Sequence, residues 1–279
     1  MQQEDKIREL QVFAQQIRVE TIRALATLGF GHTGGTMSVT EALAVLYGGI
    51  MKIDPQNPGW EERDWCVMSK GHAGPAVYAT LALKGFFPKE ELLTLNKPGT
   101  NLPSHCDMNR TPGIDMTTGS LGQGTSSAVG IACGNRKKGL DNYTYLIIGD
   151  GESQEGQVWE AALFAAQHKL SHLIAFTDYN KCQIDGTISE VCELGDLAGK
   201  YEAFGWYAQS VDGHDVEQIS EAIHKAKQQG ERPSMIVLNT VKGKGVSLAE
   251  GKVGSHNMPV TREQMDQAMA ELDSQLAAL

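Results

Sequence analysis

The sequence predicts a three-layer α/β fold, with a central, mostly parallel sheet flanked by helices. Two observations carry this reading. First, in the second half apolar runs alternate with amphipathic stretches. Tyr143 to Ile148 reads as strand, 156 to 168 as helix, Leu173 to Thr177 as strand, 215 to 229 as helix and Ser234 to Thr240 as strand, a rhythm that builds a parallel sheet through helical crossovers. Second, two of these strands run into polar tips, Gly149-Asp150-Gly151 and Thr177-Asp178-Tyr179-Asn180, and open α/β sheets bind ligands at the carboxyl ends of their strands. With no repeat, low-complexity tract or linker, residues 1–279 read as one domain.

The elements follow in order. Residues 4 to 28 form an amphipathic helix, with Ile7, Leu10, Ala14, Ile17 and Leu25 near one face and Gly29 at its end. A glycine-rich loop leads to a second helix over about 39 to 48, and Trp65 to Met68 is a short strand followed by a helix over 75 to 84. From 97 to 124 the chain is rich in Pro, Gly, Thr and Asn, and irregular stretches of that length in compact domains are usually functional. A helix of small residues, 125 to 138, could pack close to a neighbour. The C-terminal 260 to 277 reads as a surface helix opened near Thr261.

Composition narrows the function. Twenty-four basic residues against 34 acidic ones give a net charge of -10, which argues against nucleic acid or an anionic membrane as partner. An anionic ligand then needs a local device, such as a metal ion. Five cysteines without a CxxC pair fit a reducing cytoplasm rather than a disulfide framework. The polar N-terminus does not read as a signal peptide, and no apolar run approaches the roughly 18 to 20 residues of a membrane span.

The richest segment is Gly149-Asp150-Gly151 with Glu152 after it, at the end of an apolar strand. Alone, such a tripeptide is most often a turn, and an Asp there is a common helix cap. If the next strand is its neighbour, Asp150 and Asn180 lie side by side. A carboxylate, an amide oxygen and a main-chain carbonyl then make a hard oxygen site, which diphosphate oxygens and water would complete around magnesium.

This pairing resembles the diphosphate-binding motif of thiamine-diphosphate enzymes, and the resemblance extends along nearly the whole chain. It is similar to the N-terminal part of transketolase in Gly31–Met37 (GHTGGTM), Ser69–Gly74 (SKGHAG), Thr117–Gly124 (TTGSLGQG), Gly149–Gly186, Tyr201–Trp206 (YEAFGW), Asp212–Asp215 (DGHD) and Gly254–Pro259 (GSHNMP). The resemblance implies the three-layer thiamine-diphosphate-binding fold, with thiamine diphosphate and Mg2+ as cofactors, Ca2+ or Mn2+ being able to substitute. Asp150, Asn180 and the carbonyl of Cys182 would hold the metal. Gly149, Gly151, Glu152 and His72 would lie at the diphosphate, and Gly119, Ser120 and Leu121 would wrap the cofactor rings. His32, His105 and His256 would line the cleft, bind sugar hydroxyls and move protons, with His256 also near the cofactor. Glu155 and Glu160 match glutamates at the family's subunit interface, although Glu155 is also explained as an acid in the first turn of a helix. His168, His172, His214 and His224 read as structural. The chain departs from the family where Thr33 and Cys106 follow His32 and His105 in place of proline, and in Asn257-Met258 after His256.

The resemblance also implies what lies elsewhere. The pyrimidine-binding domain, with the glutamate that activates the cofactor and most sugar-phosphate ligands, is expected on a separate C-terminal subunit, in a heterotetramer of two copies of each chain. The reaction implied is transfer of a two-carbon ketol unit from a ketose (phosphate) to an aldose (phosphate), with His32 or His256 accepting the C3 hydroxyl proton. Other subunits using the same cofactor stay open at this point, whether deoxyxylulose-phosphate synthase-like, 2-oxo acid dehydrogenase-like or a non-catalytic cofactor-binding regulator. A dinucleotide fold is disfavoured, because no GxGxxG follows the first strand.

Overall fold

The computed structural model describes residues 3–279. In chain order it contains α1 (Gln3–Ala26), β1 (Phe30–Gly31), α2 (Thr33–Met37), α3 (Thr40–Val45), β2 (Trp65–Met68), α4 (Gly74–Leu83), α5 (Gln123–Lys137), β3 (Thr144–Gly149), α6 (Gly156–Gln167), β4 (Leu173–Tyr179), α7 (Ile188–Val191), α8 (Leu197–Ala203), β5 (Tyr207–Asp212), α9 (Val216–Gln229), β6 (Ser234–Asn239), β7 (Met258–Pro259) and α10 (Arg262–Ala278). Five strands form one parallel sheet in the order β2-β3-β4-β6-β5.

The alternation of side chains along these strands splits the core into two layers. Tyr145, Ile147, Ile174, Phe176, Ile236 and Leu238 face α1, α3, α4, α9 and α10. Leu146, Ile148, Leu173, Ala175, Met235 and Val237 face α5, α6 and α8. Strands buried on both faces read as continuous apolar runs, which is why β3, β4 and β6 stand out in the sequence.

Edge strand β5 does not. Its segment YAQSVD is only partly buried and pairs on one side alone, with β6. Without an apolar run or a clean alternation, it escapes a reading by pattern. The chain reaches it by passing over the place that β6 later fills, so α9 returns on the opposite face from α8.

The C-terminal helix is a correction to the reading of a surface element. Thr261 opens it with a capping box closed by Gln264, as expected near that residue. Its inner face is nevertheless core: Met265, Ala268 and Leu272 are buried with α1, and Gln15 Nε2 donates to the Leu272 carbonyl at 2.9 Å. No helix among the described residues is long and apolar enough to cross a membrane. Leu272→Ala should therefore destabilise the chain by about 2–4 kcal/mol in equilibrium urea unfolding, where a truly superficial helix would change by under about 0.5 kcal/mol.

Candidate active site

Strands β3 and β4 are neighbours, with Gly149 opposite Asp178 in the register. One residue further, the Asp150 N–H donates to the Asp178 carbonyl at 3.2 Å. Lys181 follows with φ at 66°, an uncommon conformation for a residue with a side chain. Its N–H donates to Asp150 Oδ2 at 2.5 Å, while Asp150 Oδ1 accepts from Gly151 N–H at 2.8 Å. Asp150 and Asn180 are both buried, and with Cys182 they line one cleft of about 430 Å3. Its size is that of a small-molecule site. A smaller apolar hollow of about 140 Å3 between α1 and α9 lacks a comparable set of convergent polar groups.

The same cleft receives all four loop histidines. The antiparallel pair β1–β7 sets Gly31 against Met258, so His32, just after β1, meets His256, just before β7. Ring centres lie 5.4 Å apart for His32–His256, 5.5 Å for His32–His72, 5.6 Å for His32–His105 and 4.9 Å for His72–His256. Close approach needs glycine here. A Cβ on Gly35 would come within 2.8 Å of His72 Nε2, and Gly119, at φ 138°, would place one 3.0 Å from the His105 ring.

Burial, and secondarily His105, holds the His32 imidazole down at about 4. Burial followed by the Lys242 charge does the same to His256, also at about 4. His72 is pushed well below its ordinary value by burial and then by Lys70, and His105 is lowered by burial. At neutral pH the four rings are thus uncharged, each with one donor and one acceptor nitrogen.

The remaining predicted residues spread around this centre. Gly119, Leu121, Gly149, Gly151 and Glu155 line the cleft. Ser120 and Glu160 are exposed, and Glu155 immediately precedes α6 rather than lying in its first turn. The Glu152 carboxylate accepts from Ser69 Oγ, from Gly122 N–H at 2.9 Å and from Gly149 N–H at 3.1 Å. It thereby joins the Ser69 loop, the Gly122 loop and the tip of β3.

Three further residues escape the sequence reading: Lys70, Asp178 and Lys242. Asp178 is fully buried. It accepts from the Lys70 ammonium and Thr240 Oγ1, from Ser38 Oγ at 2.6 Å and from Asn180 Nδ2 at 3.0 Å. Lys242 is 1% exposed and lines the cleft. The motifs SKGHAG and TDYN contain the first two, but position in a motif does not reveal which side chain points inward.

The profile of the transketolase thiamine-diphosphate-binding domain matches residues 10–276. The chain belongs to the transketolase family. It is 59% identical over 267 residues to the 6-deoxy-6-sulfo-D-fructose transketolase subunit of Clostridium sp. strain MSTE9, covering 96% of this chain and 97% of that one. It is 35% identical to an apulose-4-phosphate transketolase subunit from Phocaeicola vulgatus, covering 98% of this chain and 97% of the relative. Human transketolase is 36% identical over 98% of this chain, which spans 43% of the human enzyme. A crystal structure of the Pichia stipitis transketolase R525L mutant superposes with a TM-score of 0.90 at 32% identity, over 96% of this chain and 40% of that one.

The cleft fits the cofactor of this transketolase domain. Burial, and then the neighbouring Asp178 charge, pushes Asp150 up to about 7. A buried carboxylate destabilised in this way gains from a bound cation. Among the described residues no three His, Cys, Asp or Glu side chains converge as a metal cluster. A cation here would rest on one carboxylate, an amide, main chain and the diphosphate itself, as hard cations at phosphate sites do.

The histidines give a pH prediction for the transketolase chain without ligands. His32 titrates near its usual 6.5 when unfolded and at about 4 when folded, so the unfolded state binds more protons between those values. The stability associated with the neutral ring is full above 6.5 and is lost as pH falls through about 4. The urea stability of wild type minus that of His32→Gln should therefore shrink steadily from pH 7 to pH 4. A constant difference would contradict the buried neutral imidazole.

Proposed function

We propose that this chain binds Mg2+ and thiamine diphosphate in the cleft and, with a partner subunit supplying the pyrimidine-binding domain, transfers a two-carbon ketol unit from a ketose to an aldose. The observation that carries the reading is the pairing of Asp150 with Asn180 at adjoining strand tips, facing a cleft that also holds two buried lysines and four neutral imidazoles.

Asp150, the Asn180 amide oxygen and the Cys182 carbonyl hold the metal. Lys242, His72 and the Gly149–Gly151 turn face the diphosphate. Gly119 and Leu121, with Ser120 between them, support the rings. When bound, the cofactor supplies the electron sink for breaking the bond beside the ketose carbonyl. The protein contributes proton handling. His32 or His256 accepts the proton of the ketose C3 hydroxyl, and His105 with its neighbours binds hydroxyls, which neutral rings do without trapping charge.

The donor we propose is 6-deoxy-6-sulfo-D-fructose. The support is identity: 59% to the subunit named for that sugar, against 35% to the apulose-4-phosphate subunit. Two relatives matched over 97% of their length are themselves named as subunits, which supports a separate partner chain. We place the contact, in an assembly of two copies of each chain, on the face of α6. There Leu163 and Phe164 are 59% and 47% exposed beside Glu155 and Glu160. The five free cysteines suit the reducing cytoplasm.

Co-expression with the partner, then assay of the purified pair with Mg2+ and thiamine diphosphate, tests this. Sulfofructose should be cleaved faster than fructose 6-phosphate, apulose 4-phosphate or pyruvate; preference for any of these reassigns the donor, and turnover of none rejects the enzyme reading. Asp150→Ala should keep its circular dichroism and thermal transition while metal-dependent cofactor affinity falls about a hundredfold or more. An unchanged affinity would remove Asp150 from the metal.

A further inference from the structure

Glu41 on α3 is buried, and its two carboxylate oxygens are used separately. Oε1 accepts from Arg18 Nη2 at 2.5 Å, and Oε2 lies 3.2 Å from His214 Nδ1. Each partner also grips the segment after β6. The Val241 N–H donates to His214 Nε2 at 2.8 Å, and Arg18 Nε donates to the Lys244 carbonyl at 3.2 Å. A main-chain N–H can only donate, so Nε2 is the bare nitrogen and Nδ1 carries the proton toward Glu41. The two anchored positions, 241 and 244, bracket Lys242 and Gly243. Gly243 N–H in turn donates to the Gly34 carbonyl at 2.9 Å, two residues from His32.

We infer that Glu41, Arg18 and His214 form a two-point clamp that positions Lys242 in the cleft. The inference rests on the reading of that cleft as the diphosphate site. Lys242 is buried, and its ammonium donates to the Val253 carbonyl at 3.3 Å; a buried ammonium keeps such a carbonyl and an anion in the cleft within reach together only if its backbone is fixed. The clamp joins α1, α3 and the β5–α9 turn, none of which supplies a side chain to the cleft itself. His214 is therefore a positioning residue, and its place in the DGHD motif acquires a purpose beyond filling a turn.

Two substitutions separate the arms. In His214→Gln the amide oxygen falls near the place of Nε2 and still accepts from Val241. In His214→Asn an amide nitrogen falls near Nδ1, and nothing reaches Val241. With Mg2+ and the partner chain present, His214→Asn should weaken thiamine diphosphate binding about tenfold, the effect of one lost hydrogen bond, with kcat at saturating cofactor within about twofold. His214→Gln should stay within about threefold. Hydrogen exchange should rise over residues 241–255 in His214→Asn while β3 and β4 remain protected. In wild type the Val241 amide should be among the slowest of that segment, a measurement that needs no variant. If both variants bind as wild type, if both lose affinity together with sheet protection, or if the wild-type Val241 amide exchanges freely, the clamp is rejected. Failure of the wild-type assembly to bind the cofactor would instead reject the site reading.

Discussion

The site is organised by one carboxylate sealed from solvent. Asp178 sits inside β4, and around it meet an ammonium from the loop after β2, a hydroxyl from the turn between α2 and α3, a hydroxyl from the end of β6 and the amide of Asn180. Lys70 also donates to the Gly35 carbonyl at 2.7 Å. Burial alone would raise the Asp178 carboxyl; the Lys70 charge, with the hydrogen bonds to Lys70, Ser38 and Thr240, outweighs it and holds it ionised. Such a pair adds little net stability over an apolar filling, but breaking it strands a buried charge. What it provides is registration. The end of α2 at Ser38, the loop of Lys70 and His72 and the amide of Asn180 cannot shift independently while they share one acceptor. The Asn180 amide is also oriented by this bond, since its nitrogen is committed to Asp178 while its oxygen accepts from the Cys182 N–H at 3.2 Å.

Polar contacts of this kind explain what could and could not be read in the sequence. Strands β2, β3, β4 and β6 were legible because burial on both faces gives them the apolar runs 66–68, 145–148, 173–176 and 235–238. The tip of β3 was legible because glycines flank an acid at a strand end. Asp178 was not, because it lies two residues before the more visible Asn180 and is internal to the strand. Nothing local in the sequence distinguishes Lys70, which folds inward, from a lysine that snorkels. Lys242 depended on the clamp and on Gly34, all distant in sequence. Strand β5 was missed for the opposite reason to β4: its residues are only partly buried, so it needs little apolar surface and its polar composition resembled a loop.

Electrostatically the cleft inverts the character of the chain. The protein carries a net charge of -10, yet the side chains brought to the strand tips include two buried lysines and four uncharged imidazoles. The positive groups are partly cancelled in place: Lys70 is bound to Asp178, and burial lowers Lys242 against the opposing pull of nearby Cys182 and Asp150. Asp150 is left with main-chain donors and a like-charged neighbour. The cleft is therefore lined by an acid and an ammonium, Asp150 and Lys242, neither of which is held in a direct ion pair with the other. On the proposed function, a metal diphosphate would serve both with a single ligand, its cation at Asp150 and its anion at Lys242.

That complementarity accounts for one end of a transketolase cofactor and leaves the sugar to a different set of groups. The imidazoles form the other side of the cleft, and their neutrality follows from the same burial that strains Asp150. A charged histidine beside Lys70 or Lys242 would raise the cost of both. On the proposed function, keeping the rings neutral would let them share hydroxyl protons with a polyol without adding further positive charge beside Lys70 and Lys242. Selectivity for the far end of the donor, sulfonate or phosphate, has no matching cluster of buried arginines in this cleft: Arg18 is spent on Glu41, and Arg63 on Asp115. On the proposed function, this chain would bind the cofactor and handle protons at the reacting carbons, and reading the anionic tail of the sugar would fall to the partner.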